Sequence, residues 1–158
     1  MCCDFSIGLP WVSILISLAS LLGSIYFFKR NSRQNVLKTL ILDYNIKHLY
    51  AYFDEIEKEL ECLRDKGITL EQKQQINNNQ MKSAQNYEQK FIDLFLFVDD
   101  DLRKKLVNEI NDLTDNLTEA IFNEGINLYV KEIFSSHISD KVSYSKSKIL
   151  SILIEKCQ

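Results

Sequence analysis

Proline and glycine are nearly missing from this chain, with one Pro and four Gly in 158 residues. Tight turns draw on those two residue types, so their scarcity argues against a turn-rich β architecture and for long helices. No alternating apolar–polar stretch is long enough to compete as a strand. Histidine is equally sparse, with His48 and His137 alone, and neither has a Cys or carboxylate at metal-ligand spacing in its own segment. The cysteines form no disulfide framework: Cys62 and Cys157 are isolated, and the adjacent Cys2 and Cys3 have poor geometry for a bond to each other. No phosphate-binding glycine loop, dinucleotide fingerprint, nucleophile elbow or Glu-x-x-His pair occurs. These absences predict a protein without a catalytic residue, metal or cofactor, hence not an enzyme.

Charge is also missing in one place. From Phe5 to Phe28 there is no Asp, Glu, Lys or Arg, and Lys29, Arg30 and Arg33 follow immediately. A helix of about 20 apolar residues crosses a hydrocarbon core of ~30 Å, so the run reads as a single-pass transmembrane helix over 10–28. A cleaved signal peptide would need a basic leading segment and small residues at its end. Met1–Asp4 carries an acid and no base, and the run ends in Ile25, Tyr26, Phe27 and Phe28. The basic residues after the run predict an N-terminus outside and a cytoplasmic C-terminal part, in a bacterial inner membrane. Trp11, Tyr26, Lys29, Arg30 and Arg33 are the expected interface anchors, and Pro10 suits a first helical turn.

Within the run, Ser13, Ser17, Ser20 and Ser24 are spaced by four, three and four. At 3.6 residues per turn they fall within a sector of about 60°, opposite a face of Trp11, Ile14, Leu15, Leu18, Leu21, Leu22, Ile25 and Phe28. Small residues let helix backbones approach in lipid, and hydroxyls bond across the gap. The stripe is the expected self-association surface, and a pore lined by the same serines is a narrower form of that expectation.

Beyond the run, Lys29, Arg30, Arg33, Lys38 and Lys47 accompany one acid, Asp43, whereas the remainder is acid-rich. A basic collar suits an anionic leaflet, and an acidic body disfavours nucleic acid. The collar leads into a stalk helix ending near Lys66 with Gly67 as its stop, whose seam is Leu49, Phe53, Ile56, Leu60 and Leu63. Thr69-Leu70-Glu71-Gln72 is a capping box. It opens a Gln/Asn-rich stretch through Gln80, read as an exposed segment of lower stability. Phe91, Phe95, Leu96 and Phe97 then form a candidate partner face, because that helix end is apolar nearly all round. Asp99-Asp100-Asp101 caps the next helix, since carboxylates suit a helix N-terminus; Gly125 and Ser139-Asp140 mark later breaks. Asn116-Leu117-Thr118 matches a glycosylation acceptor, which stays silent in cytoplasm.

The expected fold is all-α: a single N-terminal transmembrane helix continuing into a small cytoplasmic antiparallel helical bundle with a long stalk-like first helix. Its segments are 1–9 outside, 10–28 spanning, 29–66 collar and stalk, and 67–158 bundle. The expected partners are the lipid bilayer, a second copy of the chain and a cytoplasmic protein, in the manner of a membrane effector of defence or toxicity. Alternatives are a tether or accessory subunit of a larger membrane complex, or a helical domain that senses a ligand or catalyses without a linear motif. Replacing Ser13, Ser17, Ser20 and Ser24 together by leucine is expected to abolish self-association in membranes, read by crosslinking. Unchanged association overturns the stripe.

Overall fold

A computed structural model describes residues 8–157, with side chains described from Leu15 onward. The chain divides into two compact units, Met1–Val36 and Leu37–Gln158. The described residues are helical, with no strand among them.

Helix α1 runs Gly8–Thr39. In the first unit its large apolar side chains, among them Leu15, Leu18, Leu21, Leu22 and Phe28, are exposed. Among the described residues, no helix is long and apolar enough to cross a membrane. This corrects the expectation of a span over 10–28 within those residues. Ser17, Ser20, Gly23 and Ser24 interrupt the apolar residues of α1, and Lys29, Arg30, Arg33 and Lys38 charge its C-terminal part. Residues 5–7 and the side chains of 9–14, Trp11 and Ser13 among them, lie outside the described residues.

The second unit begins with the end of α1, then a π turn at Leu40–Asn45, α2 (Ile46–Leu60) and a 3₁₀ turn at Glu61–Arg64. Helix α3 spans Leu70–Tyr87 and ends in a second π turn, Glu88–Ile92, and a 3₁₀ turn, Asp93–Phe97. Helix α4 spans Asp100–Phe122. A short α5 (Lys131–Phe134) and a third π turn, Ser135–Ser139, lead to α6 (Asp140–Cys157). Side-chain pairs fix the directions. Tyr52 meets Tyr87 and His48 meets Phe91, so α2 and α3 are antiparallel. Thr118 bonds Asn77 and Arg103 bonds Asp93, which reverses α4 on α3. Lys156 bonds Asp99 and Lys141 bonds Asn116, which reverses α6 on α4. The unit is an antiparallel bundle of α2, α3, α4 and α6.

The core follows from helical periodicity. Leu49, Phe53, Ile56, Leu60 and Leu63 are buried and belong to one cluster with Leu102, Leu106, Ile110, Leu113 and Leu117 of α4 and Val142, Ile149 and Leu153 of α6. Burying each such side chain contributes ~1.5–3 kcal/mol. The seam read as part of a stalk is thus the inner face of the bundle's first helix. Nor is the helix from the charge-free run uniform, because at Ile46 the backbone N–H reaches Ile41 O, five residues back, instead of four. The chain leaves the helix at Asp65, whose backbone is extended and whose carboxylate accepts from Gly67 N.

Both expected caps form. Thr69 Oγ1 accepts from Gln72 N at 3.2 Å, and Gln72 Oε1 accepts from Thr69 N at 2.8 Å. Asp99 Oδ1 accepts from Leu102 N at 3.0 Å, while its second oxygen takes Lys156 Nζ at 2.8 Å. The Gln/Asn stretch is exposed at Gln72, Gln74, Gln75 and Asn78, but two of its amides turn inward. Gln80 and Asn77 are buried, Gln80 Nε2 donates to Glu59 Oε2, and Asn77 Oδ1 accepts from Thr118 Oγ1 at 2.8 Å. Amides pack inside when acceptors and donors on facing helices meet them. Helix α4 ends at Phe122, before Gly125, and Ser139-Asp140 joins a π turn to α6 without a break.

Two substitutions separate apolar from polar packing. Phe53→Ala should cost about 3–5 kcal/mol of unfolding free energy by loss of transfer and cavity formation. Glu59→Ala should cost about 1–3 kcal/mol by stranding the Gln80 amide. Urea unfolding monitored by circular dichroism measures both. A loss under about 0.5 kcal/mol for Glu59→Ala would place the Gln80 contact outside the stabilising set.

Candidate functional site

Two π turns meet at one place in the second unit. Asn45, with no exposed surface, closes the first turn; its Nδ2 donates to Leu40 O at 3.2 Å and to Phe91 O in the second turn at 3.3 Å. A π turn carries one residue more than an α-helical turn and leaves its carbonyls imperfectly served, so a side-chain amide is a suitable donor there. The Asn45 Oδ1 atom is buried and has no hydrogen-bond partner, a cost that persists only where surrounding packing imposes it.

From this junction an aromatic wall runs along the α2–α3 seam. The His48 ring stacks on Phe91 with centroids 4.1 Å apart and planes 18° apart. Tyr52 stacks on Tyr87 at 4.8 Å and 14°, and Tyr87 reaches Phe91 at 5.5 Å. Offset aromatic pairs of this kind contribute ~0.5–1.5 kcal/mol beyond their buried area. Burial holds both phenols well above their ordinary pKa, with Glu55 adding to the shift at Tyr52 and Tyr52 adding to it at Tyr87. Both stay neutral donors at physiological pH. The wall borders a groove of about 350 Å³ rimmed by Glu55, Ser83, Asn86 and Lys90. Ser83 Oγ bonds Glu55 at 3.4 Å across the far end.

Two other grooves carry less organised chemistry. One of about 470 Å³ lies beside Glu59, Cys62 and Asp65, and another of about 400 Å³ beside Glu109, Asp112 and Lys148. In the latter, the buried Glu109 holds Lys148 at 2.5 Å, and that hydrogen bond raises the ammonium pKa. No group of three His, Cys, Asp or Glu able to hold a metal ion occurs among the described residues.

The residues singled out in sequence are distributed as follows. Ser17, Ser20 and Ser24 are exposed on α1, as are Tyr26, Lys29, Arg30 and Arg33; Tyr26 packs edge-on against Phe27. Leu49, Phe53, Ile56, Leu60 and Leu63 are core. The partner face does not form one surface. Phe95 has no exposed area, Phe91 packs between His48 and Tyr87, and Leu96 and Phe97 point outward, with Phe97 91% exposed. Residues two apart point to nearly opposite sides of any helical turn, so Phe95 enters the core while Phe97 faces outward. Asn45 carried no sequence signal of its own. The spacing of Tyr44, His48 and Tyr52 against Tyr87 and Phe91, each step one helical turn, is the pattern that points to the wall.

No family model, curated protein or solved structure matches this chain.

Asn45 gives a test of the junction. Asn45→Ala is expected to lose about 1–3 kcal/mol by removing a donor from two carbonyls. Asn45→Asp should lose more, since a buried carboxylate would face those same carbonyls with no hydrogen to donate. Equal stability of the two variants in urea would sink the assigned amide orientation.

Proposed function

We propose that this chain is a membrane-anchored, non-enzymatic helical interaction protein. Its N-terminal helix both anchors it and self-associates, and its bundle binds a protein partner on the cytoplasmic side. The observation that carries the reading is the dress of α1: Leu15, Ile16, Leu18, Leu21, Leu22, Ile25, Tyr26, Phe27 and Phe28 are each between 55 and 77% exposed. Consecutive exposed apolar side chains on one helix call for a covering medium, either lipid or another helix. The charge-free sequence from Phe5, followed by Lys29, Arg30 and Arg33, favours lipid with the basic end on the cytoplasmic side. The exposed Ser17, Ser20 and Ser24 offer small residues for a second copy.

The biological setting that suits such a device is a small bacterial membrane effector of a defence or toxicity system. Its alternative is a tether or accessory subunit, in which α1 packs on a different protein.

Membrane extraction decides the anchoring. Expressed full-length, the protein should sediment with membranes and resist alkaline carbonate, then dissolve in detergent. Release by carbonate overturns the span. An effector should also depolarise the membrane on induction, read with a potential-sensitive dye, and an inert tether should not.

A further inference from the structure

The groove along the α2–α3 wall has a polarity that the proposed interaction function does not use. Antiparallel packing lines up His48 with Phe91, Tyr52 with Tyr87, and Glu55 with Ser83 in order along the seam. The groove therefore has a basic and imidazole end at His48 and Lys90, a middle floored by the edges of the largely buried Tyr52 and Tyr87 rings, and an acidic end at Glu55. Seven helical positions separate His48 from Glu55, about 10 Å at ~1.5 Å per residue. That separation is the length of one substituted aromatic ring.

The rim side chains leave chemistry available. Lys90 is exposed and Glu55 is exposed with a single long contact to Ser83. The volume of about 350 Å³ lies at the small end of ligand pockets, which combine apolar walls with a few placed polar groups. The second π turn supplies both Lys90 and Phe91, and π turns interrupt helices disproportionately at functional sites. The buried, unpartnered Asn45 Oδ1 behind Phe91 marks the same place as one where packing overrides hydrogen bonding.

We propose that this groove is a binding site for a small aromatic zwitterion, its ring against the Tyr52–Tyr87 and His48–Phe91 wall, its anionic group toward Lys90 and its cationic group toward Glu55. A ligand with one charge would leave the opposite end of the groove unmatched. Binding here would be a property of the bundle, independent of what α1 does.

The chain's two histidines make the test clean, because His137 sits on the third π turn and serves as an internal control. The probe is 4-(aminomethyl)benzoate, added to detergent-solubilised full-length protein, with the imidazole C–H signals followed by NMR. A saturating shift at His48 with none at His137 is expected. Benzoate and benzylamine, each with one of the charges, should bind at least ten-fold more weakly. Lys90→Glu and Glu55→Lys should each weaken the zwitterion ten-fold or more while leaving the unfolding midpoint in place. No saturating His48 shift, equal affinity for all three probes, or indifference to both charge reversals overturns the proposal. None of these outcomes bears on carbonate extraction, so failure of the site and failure of the membrane reading remain distinct.

Discussion

The antiparallel register of α2 on α3 is the constraint from which the second unit follows. It is set by contacts of different kinds at successive turns. Asn45 and His48 meet Phe91, Tyr52 meets Tyr87, and Glu59 takes the Asn79 and Gln80 amides. Apolar packing alone tolerates sliding by a turn, because Leu and Ile at three- and four-residue steps look alike to a facing helix. An amide that must find a carbonyl does not tolerate it, since a slip strands a buried polar group at about 1–3 kcal/mol. With that register held, α2 turns Leu49, Phe53, Ile56 and Leu60 inward together, and α4 and α6 close over them.

Asp99 shows the same economy at the other end of α4. One oxygen caps the helix and the other takes Lys156 from the last turn of α6, so a local helix signal also docks a distant element. Glu109 likewise holds Lys148, with Ser145 Oγ reaching the Glu109 carbonyl at 3.5 Å. Polar groups buried between helices are tolerable only with partners on both sides, and this bundle places them at helix–helix seams instead of inside the leucine-rich centre.

The two units differ in what they bury. The second has a leucine-rich core, although Leu70, Leu96 and Phe97 among others stay exposed, whereas the described part of the first shows Leu, Ile and Phe around α1. Lys29, Arg30 and Arg33 follow those apolar residues within the first unit. Lipid is the proposed covering for the exposed apolar side chains of α1. The aromatic groove belongs to the second unit alone.

Much of the helical plan was legible in the chain itself. Periodicity marked the faces later found buried, and the Thr69 and Asp99 caps were readable because a cap is a local bond between residues three apart. Three features were not legible. The burial of Gln80 and Asn77 within the Gln/Asn stretch was not readable, since Glu59 and Thr118, which bond them, lie far away in sequence. Which of Phe91, Phe95, Leu96 and Phe97 goes inside was not readable, since a segment apolar nearly all round has no side marked for the core. The π turns were silent too: each depends on what the wider turn meets. The amino-acid sequence thus determined helicity, caps, the charge-free run and the apolar seams, all products of interactions within a few residues. Tertiary structure alone decided which polar groups go inside and which aromatics converge on a groove. Those outcomes depend on partners that only folding brings within hydrogen-bonding distance.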